Sequence, residues 1–240
     1  MATPDFTYVG SELDTFSLAR NWKHYWSLVL APYVSGTVLE VGAGIGANIP
    51  YLINGRVTRL VGLEPDRDLA RRVEHDRHPA PNSPSPSIEI RHGGLSDLPL
   101  DERYDTIVYI DVLEHIEQDG TEVRAAAARL HPGGHLVVLA PAFQSLFSEF
   151  DRAVGHCRRY TATTLKALTP ESLDVTSTRY LDSLGACLSA ANRLVLRRSM
   201  PTTANILFWD RYVVPASRVF DHALGRFVGR SVVCIWKKKH

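Results

Sequence analysis

Mainly apolar runs of four to six residues, rich in β-branched side chains, recur through the first part of the chain: Thr37 to Val41, Thr58 to Leu63, Ile88 to Arg91, Asp105 to Ile110 and Leu136 to Ala140. Runs of this kind predict buried strands. Helical patterns fall between them: one from about Gly46, stopped near Asn54-Gly55, one over Arg67 to Asp76, and the alanine-rich Thr121 to Leu130, halted by His131-Pro132-Gly133-Gly134. Strand alternating with helix predicts parallel strands joined by crossovers, an open doubly wound α/β sheet. The proline- and serine-rich stretch from His78 to Ser87 interrupts this rhythm as a surface loop, too short for a domain linker. Ahead of the first strand, Phe16, Trp22, Tyr25, Trp26 and Val29 recur at intervals of three and four. They predict a helix that packs its aromatic face on the core or closes over a ligand as a lid, and both can hold at once.

The second half is less regular. Thr161-Ala-Thr-Thr-Leu predicts a capped short helix, Val175 to Leu181 a strand, residues 183–230 a mostly helical insertion, and Ser231 to Trp236 a last strand before Lys237-Lys238-Lys239. The chain then reads as one domain. Its parts are a helical lid (1–35), a ligand-binding core (36–142), a loop and strand (143–182), a helical cap (183–230), and a last strand with a basic tail (231–240).

Composition narrows the function classes. At 240 residues, 45% hydrophobic and 22% charged, the chain is long enough for one substantial core. A net charge of +1 gives no broad field to attract a polyanion, so no nucleic-acid partner is expected. Cys157, Cys187 and Cys234 lack paired metal-ligand spacing and read as reduced, mostly structural thiols, with no metal expected. No stretch approaches the roughly 18 apolar residues of a membrane span and no basic-then-apolar leader opens the chain, so a cytoplasmic protein is expected.

Chemistry concentrates at Val38-Leu-Glu-Val-Gly-Ala-Gly-Ile-Gly46, a strand running into three closely spaced glycines. Bare backbone there lets the chain turn sharply and approach a ligand. Gly42-x-Gly44-x-x-Ala47, with Glu64 at about the distance of a ribose-binding acid, suits a nicotinamide, flavin or S-adenosylmethionine (SAM) enzyme equally. Glu40 at the strand end adds an acid suited to a cationic ligand.

With Asp97-Leu-Pro99, Asp111-Val-Leu-Glu-His-Ile116 and the Pro132-Gly133-Gly134 hairpin into the fifth strand, residues 35–142 resemble the class I, Rossmann-like SAM-dependent methyltransferase family. The resemblance implies a seven-stranded sheet, mostly parallel with an antiparallel last strand, and SAM as cofactor. It implies that the Gly42, Gly44 and Gly46 backbone, with Ala43 and Asn48, carries the methionine and ribose portions. Glu40 would sit near the amino-acid end, and Glu64, followed by Pro65, would accept both ribose hydroxyls. Aligning on Leu98-Pro99 puts Gly94 where family members often carry an acid, so adenine falls to backbone near Gly94 and Leu95 or to Asp97. Asp111, Val112 and Leu113 would lie along the cofactor near the sulfonium. His115 faces the cofactor or caps its turn.

Methyl transfer needs an aligned nucleophile, exclusion of water and sometimes a base. Phe150 to Tyr160 gathers an acid, an imidazole, guanidiniums and a phenol, and contains a Gly-His-x-Arg-Arg-Tyr segment similar to one in a subgroup of bacterial methyltransferases. His156 is the candidate base, Asp151 its orienting acid, and Tyr160 or Arg159 a substrate-positioning group; alternatively Asp151 pins the loop by pairing with Arg158 or Arg159. An imidazole suits proton transfer near neutral pH. In the insertion, Leu184, Leu188, Ala191, Leu194 and Val195 are placed on one helical face, followed by Phe208, Trp209, Tyr212 and Phe220, with Arg193, Arg197, Arg198, Arg211 and Arg218 interspersed. These form the core of a helical cap, or line a pocket for a bulky, apolar or lipid-linked acceptor, or rest on a membrane.

The expected function is methyl transfer to a small molecule, at oxygen rather than nitrogen. Strand four ends in Asp111-Val-Leu-Glu, not in the Asn/Asp-Pro-Pro-Tyr associated with planar nitrogens. The rivals are a SAM-binding partner subunit or rearrangement catalyst that transfers no methyl, and a nicotinamide-dependent oxidoreductase.

Overall fold

Seven strands form one sheet in the computed structural model, which describes Tyr8, Gly10 and residues 12–75, 86–191 and 202–240. They are β1 (Gly36–Val41), β2 (Val57–Glu64), β3 (Ser87–His92), β4 (Tyr104–Ile110), β5 (Leu130–Pro141), β6 (Leu173–Leu181) and β7 (Ser231–Lys238). Their spatial order is β3-β2-β1-β4-β5-β7-β6, and β7 alone runs antiparallel to its neighbours. Successive strands step outward from β1 through β2 to β3, and then from β4 in the other direction. The two directions part between β1 and β4, which opens a crevice at their carboxyl ends where ligands bind in such sheets.

Both faces are covered, which explains why the central strands carry apolar residues at consecutive positions. On one face Leu39, Ile107, Tyr109 and Val138 pack with Val123, Ala126 and Ala127 of α5 (Asp119–Ala128). On the other, Val38, Leu60, Val108 and Leu139 pack with Trp22, Tyr25 and Trp26 of α2 (Arg20–Leu30). A short α1 (Leu13–Ser17) precedes α2, and α3 (Ile49–Leu52) and α4 (Arg67–His75) are the first two crossover helices. Beyond β5 come α6 (Glu149–Ala153) and α7 (Ala162–Ala167), then α8 (Ser183–Ala191), α9 (Thr203–Phe208) and α10 (Val214–Leu224) after β6. Thr161 caps α7, accepting from the Thr164 amide at 3.1 Å.

The structure corrects several expectations. The helix expected from Gly46 shrinks to the four residues of α3, because Gly42, Gly44 and Gly46 all hold positive φ and keep the chain turning. The fifth strand starts at Leu130 and runs through the Pro132-Gly133-Gly134 stretch, which is a bulged strand opening and not a hairpin. Gly134 is required there, since a Cβ would sit 2.8 Å from the Asp105 carbonyl oxygen. Cys157 and Cys187 are exposed free thiols; only Cys234 is buried. Arg193, Leu194, Val195, Arg197, Arg198 and nearly all of the expected surface loop lie outside the described residues.

The cap differs most. Phe208, Tyr212 and Phe220 are exposed, and not part of a cap core; Trp209 is buried. A π-helical turn over Trp209–Val213 joins α9 to α10, and both Trp209 and Asp210 within it are buried. Asp210 Oδ1 accepts from the Trp22 amide at 2.8 Å and Oδ2 from the Asn21 amide at 3.1 Å, satisfying free donors at the start of α2. Asp221 accepts from the Asp182 and Ser183 amides and the Tyr25 hydroxyl, and Asp182 from Trp209 Nε1. Buried acids join apolar packing of Ile206, Trp209, Val213 and Val214 in holding this cap to the rest of the chain.

Candidate active site

A cavity of about 270 Å³ occupies the crevice at the carboxyl ends of β1 and β4. The glycine turn forms its base. Gly42 holds φ +73°, and a Cβ there would lie 2.5 Å from Val112 Cγ2, so packing dictates the residue. Gly44 holds φ +56°, and a Cβ would meet only Leu13 methyls at 3.8 Å, so its backbone faces open space. Gly46 packs instead against Val73 and Ile49 and does not line the cavity.

Glu64, at the end of β2, holds the turn. Its Oε2 accepts from the Gly44 amide at 2.6 Å and its Oε1 from the Asp66 amide at 2.9 Å. Burial raises its carboxyl above the usual range, partly offset by those two amides. Each carboxylate oxygen retains acceptor capacity toward a second donor. Glu40 stands behind the turn, fully buried, and reaches the cavity through Asn48, whose Nδ2 donates to Oε1 at 3.1 Å while Lys23 Nζ donates to Asn48 Oδ1 at 2.9 Å. Among the described residues Glu40 Oε2 has no hydrogen-bond partner.

Burial pushes the Glu40 carboxyl up to about 7, against the opposing effects of Asn48 and Lys23. Its proton is therefore held in the folded chain where the unfolded chain gives it up. The stability this confers is present in full below the ordinary value of 4.5 and is lost as pH rises through about 7. Denaturation of Glu40→Gln beside the parent chain tests this. The variant is expected to gain relative stability from pH 4 to pH 8, by no more than about 3 kcal/mol, and a difference flat with pH counts against it.

Asp111 follows β4 at φ +54° and lines the cavity. Burial raises its carboxyl, opposed by the nearby charges of His156, Lys23 and Arg230. A 3-10 turn, Leu113–His115, follows. Glu114 there is fully buried with neither carboxyl oxygen partnered, and burial with the adjacent Asp111 drives it well above the usual range. His115 also lines the cavity, and burial followed by the charge of His156 lowers its imidazole to about 4.

Facing them, His156 Nδ1 lies 2.9 Å from Asp151 Oδ1, and its Nε2 lies 3.8 Å from Glu114 Oε1, too long for a hydrogen bond. Arg159 donates to Asp151 through Nε at 2.7 Å and Nη2 at 2.9 Å, and the Ser148 amide and hydroxyl each donate at 2.8 Å. Burial works to raise the Asp151 carboxyl, but His156 and Arg159 outweigh it and hold it well below the usual range. The two sequence alternatives for Asp151 therefore coexist, since one carboxylate both orients His156 and pins the loop through Arg159. Arg158 pairs with Asp119 at 2.6 Å instead.

Of the residues singled out from sequence, Gly42, Ala43, Gly44, Asn48, Glu64 and Pro65 line the cavity, as do Asp111, Val112, His115 and His156. Leu95 does not, because it is buried in the sheet's core, and Asp97 does not, because its Oδ2 accepts from the Gly94 amide at 2.8 Å. Leu113 is likewise core. Tyr160 is turned away from the cavity, its hydroxyl lying 2.9 Å from Asp119 Oδ2 and 3.2 Å from the Leu113 carbonyl. Trp209, placed by the sequence in a cap core or an acceptor pocket, lines it as well, and sequence reasoning missed Lys23, Glu114 and Arg230, which also do. Glu114 lay within the Asp111-Val-Leu-Glu motif; Arg230, with its guanidinium 4.7 Å above the Trp209 ring, carried no local signal.

Glu114, His115 and His156 each bring a ligand-type atom within 4.8 Å of the others. Arg159 and Arg230 border the same cavity, Arg159 with its charge matched by Asp151. The other end of the cavity suits SAM. The Gly44 backbone, the strand-end acid Glu64 and the Asp111 carboxyl offer acceptors suited to its hydroxyls and its positive charges.

An open parallel sheet with a ligand crevice at its switch point, floored by a glycine turn and two strand-end acids, defines a Rossmann-like cofactor-binding fold. Residues 17–172 match the sequence model of the methyltransferase domain, and the chain belongs to this family of SAM-dependent methyltransferases. It is 35% identical over 105 residues to a "probable S-adenosylmethionine-dependent methyltransferase" of Mycolicibacterium smegmatis, covering 43% of this chain and 37% of that one. It is 28% identical over 142 residues to a tRNA U34 carboxymethyltransferase of Shewanella frigidimarina, covering 55% of this chain and 40% of that one. The chain thus spans about two fifths of the length of these curated relatives. Among solved structures, the N-methyltransferase NodS from Bradyrhizobium japonicum with S-adenosyl-L-homocysteine gives a TM-score of 0.57 at 17% identity, over 100% of this chain and 94% of that one. The cyclopropane synthase MmaA2 from Mycobacterium tuberculosis gives 0.55 at 17% identity, over 90% and 82%. At such identity these likenesses establish the fold alone. Among the described residues no helix is long and apolar enough to cross a membrane.

Proposed function

We propose that this chain methylates a hydroxyl oxygen of a small, bulky and largely apolar acceptor, with SAM as donor and His156 as base. The observation that carries this reading is His156 itself. It lines the cavity with Nδ1 held 2.9 Å from a buried, ionised Asp151, which fixes the ring and leaves Nε2 as the proton acceptor. Bound on the glycine turn, with the remaining cavity-lining residues named above as its contacts, the sulfonium supplies the methyl group. Nε2 of His156 would take the hydroxyl proton as the oxygen-to-carbon bond forms and the methyl-to-sulfur bond breaks, S-adenosyl-L-homocysteine being the leaving group, and Asp151 would steady the resulting imidazolium. Phe16, Trp22, Trp26, Phe150 and Trp209 surround the cavity with apolar surface that excludes water and favours an apolar acceptor.

The Shewanella relative is named for action on tRNA, but a net charge of +1 gives little to hold a polyanion and favours a small acceptor. Labelled SAM offered with hydroxylated apolar compounds, with amines and with bulk tRNA separates these acceptors. His156→Ala is expected to lower turnover on the order of 100-fold while calorimetry finds its SAM affinity unchanged. Full turnover in that variant removes the base assignment, and label appearing in tRNA replaces the acceptor class.

A further inference from the structure

The helical segment from α9 through α10 turns two faces to different surroundings. Ile206, Trp209, Val213 and Val214 are buried against the rest of the chain, and Trp209 walls the cavity. The opposite face is open: Phe208 is 58% exposed, Tyr212 56%, Val219 70%, Phe220 52%, and Phe227 just beyond it 74%. Single exposed apolar side chains are ordinary, but several large ones on one helix and its tail form a patch of the kind that meets a partner.

Charge is sorted across the same two faces. The acids of residues 202–230 are Asp210 and Asp221, and both are buried, their carboxylates occupied by the start of α2, by the β6–α8 junction and by Tyr25. Arg211, Arg218 and Arg226 are exposed. Within residues 202–230 the outer face therefore combines aromatic and aliphatic side chains with cations and no acid. A protein partner would need acids and matched pockets of its own, whereas a bilayer with anionic headgroups satisfies both features through one surface.

We infer that this face docks the chain onto a bilayer carrying anionic phospholipid. Phe208, Val219, Phe220 and Phe227 enter the acyl boundary, and Arg211, Arg218 and Arg226 meet the phosphates. The inference stands apart from the acceptor reading, since docking requires no particular methylated atom. It does place the wall made by Trp209 one residue from the docking face, so an acceptor dissolved in the bilayer lies close to the cavity.

Flotation of the full chain with phosphatidylcholine vesicles, with and without phosphatidylglycerol, tests this. Binding is expected with phosphatidylglycerol, weakening as salt rises. Phe208→Ser, Phe220→Ser and Phe227→Ser together are expected to weaken it at least about tenfold at unchanged melting temperature, because these side chains support no core. Arg211→Glu, Arg218→Glu and Arg226→Glu together should abolish the preference for phosphatidylglycerol, each arginine contributing about fivefold. SAM affinity, read by calorimetry in the same variants, is expected to hold, which separates failure of docking from failure of the methyltransferase site. A chain that stays in solution with phosphatidylglycerol vesicles at low salt overturns the inference. So does sedimentation showing that the three phenylalanines hold two copies together with no vesicle binding.

Discussion

Replacing Glu64 by alanine is expected to lower the affinity for SAM about 1000-fold while leaving the ligand-free chain nearly as stable as before. Glu64 is the buried acid at the carboxyl end of β2, fixed by the Gly44 and Asp66 amides, on the cavity's edge. Two ribose hydroxyls donating to an ionised carboxylate make charge-assisted bonds, each contributing roughly 1.5 to 3 kcal/mol, and their sum of about 4 kcal/mol corresponds to that loss. Stability falls little because the carboxylate is itself costly to bury, as its raised proton affinity shows, which offsets the loss of an acceptor at the buried Asp66 amide, and because the Gly44 amide it abandons faces the cavity, where water replaces it. Glu64→Gln keeps acceptors at the site but loses the charge, and an intermediate affinity is expected. Calorimetry with S-adenosyl-L-homocysteine and a thermal melt of the ligand-free chain read the two quantities separately. Unchanged affinity in Glu64→Ala would place the ribose elsewhere.

Asp182→Ala is expected to destabilise the fold by about 4 kcal/mol. Asp182 is fully buried between β6 and α8 at φ +65°, a conformation that aspartate tolerates better than alanine. Its carboxylate accepts from Trp209 Nε1 at 2.7 Å, Ser217 Oγ at 2.6 Å and the Gly185 amide at 3.0 Å. Alanine leaves all three donors buried without an acceptor, each costing roughly 1 to 3 kcal/mol before relaxation. An asparagine side chain keeps one acceptor oxygen and tolerates the left-handed backbone, so Asp182→Asn should lose about half as much. Urea denaturation followed by tryptophan fluorescence measures both. A loss under about 1 kcal/mol in Asp182→Ala would mean that the cap is held by apolar contact instead. Because Trp209 also walls the cavity, the same variant should loosen the acceptor side of the site.

The contrast between these two residues marks how far sequence reaches. Glu64 was legible because its place is local: a strand end twenty-odd residues past a glycine turn, a spacing set by one crossover. Asp182 carried no signal, because its three partners are brought to it by the packing of β6 against the cap. The dyad of Asp151 on α6 and His156 just beyond it is local in sequence, so residue types alone pointed to it. Glu114, which approaches the same imidazole from the end of β4, was quoted in a motif and given no role. The adenine-side residues lie outside the cavity's lining, where Asp97 Oδ2 accepts from the Gly94 amide, a local bond between two groups that the sequence had each offered to adenine.

What the sequence by itself determined is the sheet, its mostly parallel order and the glycine turn, since consecutive apolar positions and bare backbone act through neighbours in the chain. Tertiary structure alone decided which side chains meet across the cavity, such as Lys23 on Asn48 and Arg230 over Trp209, and which face of the cap looks outward. Along α10 the buried side includes Ser217 and Asp221 while Val219 and Phe220 are exposed, so apolar character alone does not mark its buried side. The π-helical turn and the buried acids Asp182, Asp210 and Asp221 made that choice, leaving Phe208 and Phe220 in the open.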